Sequence, residues 1–396
     1  MSTYISIQPV LHIVRAALSS IRYEGIEGGG SRVAIYVLFV IGCLCGFLLF
    51  RKNVITVRQE KGPEKVKLSI IIPARNEACN LPQLLHALKI QTLEPFEIIV
   101  VDDFSEDDTK GIAESYGVTV ISNTSLPEGW TGKNWAVWNG YLHASGDLIA
   151  FLDADIRLAP RALEALVKAR NKAGGVVSVV PFHYTEKFVE RLALIFNVLG
   201  VFAFTSPFEK KNPKKGLYGS CILTTREDYE KIKGHEGIKS EMLDDLNLGA
   251  SYRNAGIQVT NFIGRGLVSF RMYPQGIKSE VQGFGKGAVL STSTLSPGTI
   301  LLVAIWVVGL IASETFFLFI NTSWALPLFI GYLLYMLQLF YFIKHVGMFG
   351  IIMPVLHVLS TLFFIFVMLY SVYQVVFLGH VSWKGRHVKV GSRRGQ

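Results

Sequence analysis

Three observations predict an α/β domain with a mostly parallel sheet and transmembrane helices at both ends. Half of the 396 residues are hydrophobic and only 17% are charged, which is too apolar for a wholly soluble chain. Strongly apolar segments lie near both ends, at 33–50 and from 298 to 378. Between them, short apolar runs alternate with segments of helical spacing. That alternation is the pattern of a parallel sheet covered on both faces.

Residues 1–32 set Ile13, Leu18 and Ile21 among Arg15, Arg22 and Glu24. They read as an interfacial segment broken at Gly28-Gly29-Gly30-Ser31, with no small-x-small cleavage site of a removed signal peptide. Residues 33–50 carry no charge and approach the roughly 20 residues that a span needs. Arg51, Lys52, Arg58 and Lys61 follow, a modest basic bias that places the next domain in the cytoplasm.

The domain at 67–297 opens on a buried strand, Leu68-Ser69-Ile70-Ile71-Ile72-Pro73, and a loop, Ala74-Arg75-Asn76-Glu77. Helical spacing at Leu81, Leu84, Leu85 and Leu88 comes next. A second strand at 97–101 ends in Asp102-Asp103, followed by a helix at 107–116, a strand at 118–121 and a helix at 135–144. Residues 188–204 are apolar after Glu190 and Arg191, and read as an amphipathic helix in the membrane interface, with a buried core helix as the alternative.

Three apolar segments follow at 298–320, 324–343 and 351–378, and the basic tail 379–396 closes the chain. Glu314 is costly in lipid and is expected to face a partner helix or headgroups. His357 reads as a satisfied histidine between helices. Three full spans would put the basic tail outside, so one segment is expected to be re-entrant. The last is favoured, because His345, Gly347, Gly350 and Pro354 weaken its entrance.

The formal charge is +9, from 39 Lys and Arg against 30 Asp and Glu. No basic stripe interleaved with aromatics occurs, so nucleic acid is excluded as a partner in favour of anionic lipid headgroups. Cys43, Cys45, Cys79 and Cys221 show neither disulfide nor zinc spacing, and read as reduced and structural.

The stretch Leu148–Ile156, LIAFLDADI, organises the domain. An apolar strand ends in Asp153 and Asp155. Residues i and i+2 of a strand share a side, and ligands of open α/β sheets bind at the strands' carboxyl edge. Two carboxylates there suit a hard divalent cation bridging a diphosphate. A lone D-x-D is weak evidence, and a solvated acidic turn is the plain alternative.

IIIPARNE, VVDDFSEDDT, GWTGKNWA, FLDADI and MLDDLNLG occur in an order that resembles the inverting GT-A glycosyltransferases of family 2, from about Leu68 to the end of the chain. VSVVPFHYTEKFVERLALIFN, FRMYPQG…GFGKG and VSWKGRHV are similar to the membrane-bound branch that includes the 4,4'-diaponeurosporenoate and hopanoid-associated glycosyltransferases. The resemblance implies a nucleotide-cradling loop at Pro73, Ala74 and Glu77, and a uracil-contacting Asp103. It implies Asp155 and Asp153 as ligands of Mg²⁺ or Mn²⁺, with Asp153 also at the donor sugar-nucleotide. Lys133 is placed to meet phosphate or sugar, with a surface lysine in a turn as the alternative. Asp245 aligns with the family's base, with Asp244 second. The family usually writes this pair E-D, so Asp244-Asp245 is a departure.

Arg271 stands where processive relatives carry Q-x-x-R-W. The missing tryptophan argues for a single transfer, with Arg271 and Lys286 expected at the leaving diphosphate. Trp383, Lys384 and Arg386 are expected to fold back to the site or to bind headgroups. The function implied is transfer of one sugar, glucose from UDP-glucose, to a lipidic acceptor at the cytoplasmic face of the cell membrane by a multi-pass protein. The best single acceptor is the carboxyl group of a C30 apocarotenoid. A glycolipid, hopanoid or polyprenyl-phosphate transferase is the enzymatic alternative, and a non-catalytic membrane scaffold the rival of another class.

Overall fold

A computed structural model describes residues 29–55, 66–241, 243–288, 294–374, 380–383 and 386–389. The expected N-terminal interfacial segment and most of the basic tail lie outside them.

Seven strands form the main sheet: β1 (Leu68–Ala74), β2 (Glu97–Asp102), β3 (Thr119–Ser122), β4 (Leu148–Leu152), β6 (Val176–Val180), β8 (Cys221–Thr225) and β9 (Val259–Ile263). Their order is β3-β2-β1-β4-β8-β6-β9, parallel throughout except for β8. β1 and β4 are buried along almost their whole length, which is why they read as continuous apolar runs. A smaller sheet joins β5 (Ile156–Leu158), β10 (Val268–Phe270) and β7 (Phe182–His183). β11 (His380–Trp383) and β12 (Arg386–Lys389) form a hairpin, while Lys384 and the side chains of Trp383 and Arg386 lie outside the described residues.

Among the described residues, three helices are long and apolar enough to cross a membrane: Arg32–Leu49, Pro297–Leu318 and Ala325–Val346. Glycines let the first approach the others closely, since a Cβ on Gly42 would overlap the Tyr335 hydroxyl and one on Gly46 the Trp306 indole. Gln338 ties all three together. Its Oε1 accepts from Trp306 Nε1 at 2.8 Å and its Nε2 donates to the Cys43 carbonyl at 2.6 Å.

The ends of these helices are stitched to the α/β domain. After the first, Ile263 N donates to Asn53 O at 2.8 Å and Asn53 Nδ2 to Asn261 O at 2.7 Å. Before the second, Ser296 caps the helix, with Thr299 N donating to its Oγ, and itself donates to the buried Glu209. After the third, Gly347 bridges His183 and Met348 N donates to His183 O at 2.8 Å.

The stretch expected as one interfacial helix forms two, Phe188–Arg191 and Leu194–Thr205. Leu194, Ile195, Val198, Val201 and Phe202 of the longer one are buried in one cluster with Phe39, Trp306 and Tyr335 of the membrane-length helices and Val180 and Ile263 of the sheet. It lies between the two parts of the molecule, as in the buried-helix alternative. Each fully buried Leu, Ile, Val or Phe contributes about 1.5–3 kcal/mol, so this joint is as much a core as the domain interior.

The last apolar segment breaks at Leu356 into Ile352–Val355 and the 17-residue helix His357–Tyr373. From His183 the chain runs to Tyr332 and Glu314, near the far ends of the second and third long helices. Tyr332 donates to Val355 O at 2.6 Å and its ring stacks on His357 at 4.2 Å. The helix then returns, and Ser371 Oγ donates to Gly285 O of the helix Ile277–Ala288 at 2.6 Å. The segment thus doubles back, and both its ends lie at the α/β domain. Glu314 meets His357 Nδ1 at 2.5 Å and accepts from Thr361 Oγ1 at 2.7 Å, so the carboxylate faces a partner helix, while His357 Nε2 stays buried with no hydrogen-bond partner.

Replacing Gln338 by Leu strips partners from Trp306 and Cys43 at once. Its cost is expected to be about 1 kcal/mol, the scale of interhelical hydrogen bonds in membranes, and is checked as a lower melting temperature in detergent.

Candidate active site

The loop after β1 and the loop after β2 are built against each other. Asn76 N donates to Ser105 Oγ at 3.0 Å, Glu106 N to Asn76 Oδ1 at 2.8 Å and Ala78 N to Asp107 Oδ2 at 3.0 Å. Asn76 (φ 55°) and Phe104 (φ 58°) both adopt the left-handed region, a strained conformation for residues with a Cβ. Between the loops Asp103 is buried. It donates from its backbone to Ala74 O at 2.8 Å, accepts from Asn123 Nδ2 at 3.1 Å and lies 3.9 Å from the Arg75 guanidinium. Glu77 turns to the start of the next helix, where it accepts from Asn80 Nδ2 at 2.8 Å.

The antiparallel strand β8 brings the second half together. Leu152 of β4 pairs with Cys221, so Asp153 N donates to Ser220 O at 2.9 Å. One residue earlier, Gly219 N donates to Asp245 Oδ2 at 3.2 Å. Asp244 and Asp245 open the helix Asp244–Asn254, where carboxylates are favoured by the helix dipole. Gly249 of that helix lies flat on residues 216–217, and a Cβ there would meet their backbone at 2.6–2.7 Å.

Lys133 arrives from the opposite side, in the first turn of the helix Gly132–His143, which begins earlier than its apolar spacing suggested. The adjacent Asn134 is fully buried and donates to three carbonyls, of Ile238, Lys239 and Glu241. It fixes Lys133 against the strap that leads into the acidic pair. Lys133 Nζ lies 3.0 Å from Asp153 Oδ1 and 3.8 Å from Asp244 Oδ2.

These groups line one pocket, with Pro73, Lys133, Asp153, Gly219, His235, Asp244 and Asp245 on its walls. Burial disfavours the charge on Lys133, but Asp153 and Asp244, with Asp245 beyond, outweigh it and hold the ammonium above the ordinary lysine range. Burial, then the Asp244 carboxylate, pushes the Asp245 carboxyl up to about 7, against the pull of Lys133 and two backbone N–H donors. Burial keeps His235 neutral, with a pKa near 4. Asp155 sits beside the pocket. β5 pairs Ile156 with Phe270, so the chain past β10 runs alongside Asp155. Burial raises the Tyr218 and Tyr273 hydroxyls, and the Asp155 carboxylate raises both further.

Residues 69–233 match the model of glycosyl transferase family 2. The chain is 32% identical over 369 residues to 4,4'-diaponeurosporenoate glycosyltransferase of Staphylococcus aureus strain MRSA252, a match over 90% of this chain and 98% of that protein. For the enzyme of strain USA300 the identity is 31% over 367 residues, with the same coverage. The chain belongs to glycosyl transferase family 2. It is therefore a glycosyltransferase, with the GT-A α/β fold and apolar helices of membrane length at both ends. Among solved structures it is similar to a mannosyltransferase of Pyrobaculum calidifontis, with a TM-score of 0.47, 18% identity, and coverage of 76% of this chain and 85% of that one.

In this family-2 chain Pro73, Lys133, Asp153, Asp244 and Asp245 converge on the pocket, with Asp155 beside it. Ala74 and Asp103 join through the backbone. Arg271 is engaged elsewhere: Glu190 holds it at 2.7 Å and Glu186 at 2.6 Å. Lys286 falls in the helix Ile277–Ala288, and its side chain lies outside the described residues. Sequence reasoning passed over Asn134, Tyr218, Gly219 and Tyr273. For Asn134 the neighbouring Thr131, a helix N-cap that accepts from Asn134 N, was the available signal. The other three act through pairings between distant strands, which leave no local mark.

Among the described residues, no cluster of three or more His, Cys, Asp or Glu side chains could hold a metal by itself. The Asp153 and Asp155 pair nevertheless fits a hard divalent cation. Its donors are oxygens, and around Lys133 the acidic side chains Asp153, Asp244 and Asp245 outnumber the one ammonium. A diphosphate and water would complete such a site.

Replacing Gly249 by Ala forces the acidic helix off residues 216–217 without removing a polar group. Overpacking of this kind costs about 1–3 kcal/mol, and a drop in transferase activity larger than the loss of folded protein is expected. Asp245 also makes stability depend on pH. Between its ordinary value of 3.8 and about 7 the folded protein keeps a proton that the unfolded chain has released. Stability therefore falls as pH rises through that window and levels off above it. Asp245→Asn should melt higher than the wild type at about pH 8, with the gap narrowing towards about pH 5.

Proposed function

We propose that this family-2 enzyme is an inverting transferase that moves one glucose from UDP-glucose to a lipidic acceptor at the cytoplasmic face of the cell membrane, as a multi-pass protein. The preferred acceptor is the carboxyl group of 4,4'-diaponeurosporenoate, a C30 apocarotenoid. The observation that carries the reading is the convergence of Lys133, Asp153 and the Asp244–Asp245 pair on one pocket. The name of the S. aureus relatives, matched over nearly their whole length, supports the acceptor. The excess of Lys and Arg, with Arg51 and Lys52 directly after the first long helix, supports the cytoplasmic side.

In this mechanism the loops at Ala74 and Asp103 cradle the nucleotide, and Asp103 accepts from uracil. Lys133 meets the diphosphate and stabilises the charge that develops on it. The acceptor oxygen forms its bond to the anomeric carbon from the face opposite the diphosphate. The bond from that carbon to the phosphate oxygen breaks, and UDP leaves with the electron pair. A Mg²⁺ or Mn²⁺ held by Asp155 and Asp153 would supply further charge neutralisation at the diphosphate. An alcohol acceptor must lose a proton, and Asp245 is the group to take it, with Asp244 second. A carboxylic acid is already ionised near neutral pH and needs no base.

That difference favours a second reading. A pKa near 7 suits Asp245 to general-base work, which an alcohol acceptor of a glycolipid or hopanoid needs and a carboxylate does not.

The test is UDP release by the purified protein in detergent with Mg²⁺ or Mn²⁺. UDP-glucose is supplied with either a C30 apocarotenoic acid or a diacylglycerol. Release with the acid, reduced about a hundredfold or more in Asp155→Ala, is expected. Release with the diacylglycerol alone selects the second reading. Loss of both Asp244 and Asp245 should hurt an alcohol far more than an acid, and comparable losses would overturn Asp245 as the base. Failure to bind UDP with Mn²⁺ would point to a non-catalytic scaffold.

A further inference from the structure

Glu280 is a buried carboxylic acid with no part in the mechanism above. It is 2% exposed, in the helix Ile277–Ala288, and its Oε2 is buried with no hydrogen-bond partner. A buried polar atom left unsatisfied is costly, and in a native protein it points to a missing partner. Burial, with the Glu190 carboxylate nearby, pushes its pKa up to about 8, so near neutral pH it carries a proton to donate.

Tyr273 links this acid to the pocket. Its ring lies against the helix Ile277–Ala288 at Gly283, one turn along from Glu280, and the strand that leads to it pairs Phe270 with Ile156, next to Asp155. Its backbone adopts φ 52°, a strained conformation for tyrosine that persists only where the surroundings impose it. Its ring fills the space over Gly283, where a Cβ would lie 2.0 Å from Cζ.

Behind Tyr273 the rings continue away from the pocket. Tyr273 meets Phe284 at 5.3 Å, and Phe284 stacks on Phe196 at 4.5 Å. Phe196 meets Phe364 at 5.0 Å and Phe363 at 6.1 Å, both in the helix His357–Tyr373. The same helix exposes Leu362, Phe366 and Leu369 outward. An aromatic wall therefore connects the metal-side carboxylate Asp155 to a lipid-facing surface.

We propose that Tyr273 and Glu280 bind the reacting oxygen-bearing end of the acceptor, and that the wall of Phe284, Phe196, Phe364 and Phe363 receives its hydrocarbon chain from the membrane. The ligand class is a long apolar chain ending in a carboxyl or hydroxyl group. The assignment rests on the lipid-acceptor reading and adds the residues that select it. Both side chains are specificity residues, and neither is the base.

The test compares wild type, Glu280→Leu, Glu280→Gln, Tyr273→Phe and Phe196→Ala in phospholipid vesicles with UDP-glucose. The acceptor is a C30 apocarotenoic acid or the short conjugated sorbic acid. Glu280→Leu should raise KM for the long acid about tenfold, the scale of one buried hydrogen bond, while KM for UDP-glucose stays within about twofold. Glu280→Gln, which keeps a donor, should raise it roughly threefold, and Tyr273→Phe by a similar factor. Phe196→Ala should weaken the long acid but not sorbic acid. UDP affinity with Mn²⁺ reports folding of each variant, and if Glu280→Leu loses it, Glu280→Gln and Tyr273→Phe decide. Unchanged acceptor KM in the folded Glu280 variants and Tyr273→Phe, with active wild type, overturns this proposal alone. Wild type that transfers to no lipid acceptor overturns the reading on which it rests.

Discussion

One ammonium among several carboxylates is the constraint from which the site follows. Lys133 reaches Asp153 and Asp244 from the helix facing them, and without it the acidic end of β4 and the acidic helix start would repel each other across a partly buried pocket. Much of the surrounding architecture fixes that geometry. Asn134 spends its amide on three carbonyls of the approaching strap. Gly219 fills the space between β4 and the acidic helix and offers its N–H to Asp245. The remaining negative charge is what a diphosphate-bound cation would relieve.

The second dependence is mechanical. The α/β domain and the apolar helices share one hydrophobic cluster through the helix Leu194–Thr205, so they are not two bodies joined by a linker. Arg271 belongs to this joint: by pairing with Glu190 and Glu186 it connects the strand that passes Asp155 to the chain leading into that helix. A guanidinium with two carboxylates this close is satisfied where it is, which explains why it stands apart from the pocket.

Much of this was legible in the sequence because it is local. Apolar runs marked β1, β2 and β4, and the acids that close the last two marked Asp103, Asp153 and Asp155. The weak entrance to the last apolar segment coincides with its contact to the α/β domain, where Gly347 itself bridges His183. Illegible features were those made by pairing across distance. Nothing near Arg271 shows that Glu190, 81 residues earlier, holds it. Nothing around Tyr273 shows that β10 lies against β5. The apolarity of 188–204 was plain, but apolarity alone does not tell a helix lying on lipid from one buried between two folded parts.

The stitches at Asn53, Ser296 and Met348 have a consequence for how this enzyme meets its substrates. Hydrogen bonds at three separate corners, two between backbones and one from Ser296 to the Glu209 carboxylate, oppose tilting or lifting of the α/β domain. Its pocket stays at one height and in one orientation relative to the helices that anchor it. The lipid acceptor proposed above would then arrive by lateral diffusion in two dimensions, while a water-soluble donor would arrive in three. The concentration that governs such an acceptor is a mole fraction among lipids, and diluting the membrane with inert lipid would starve the enzyme even with the amount of acceptor in the vessel unchanged.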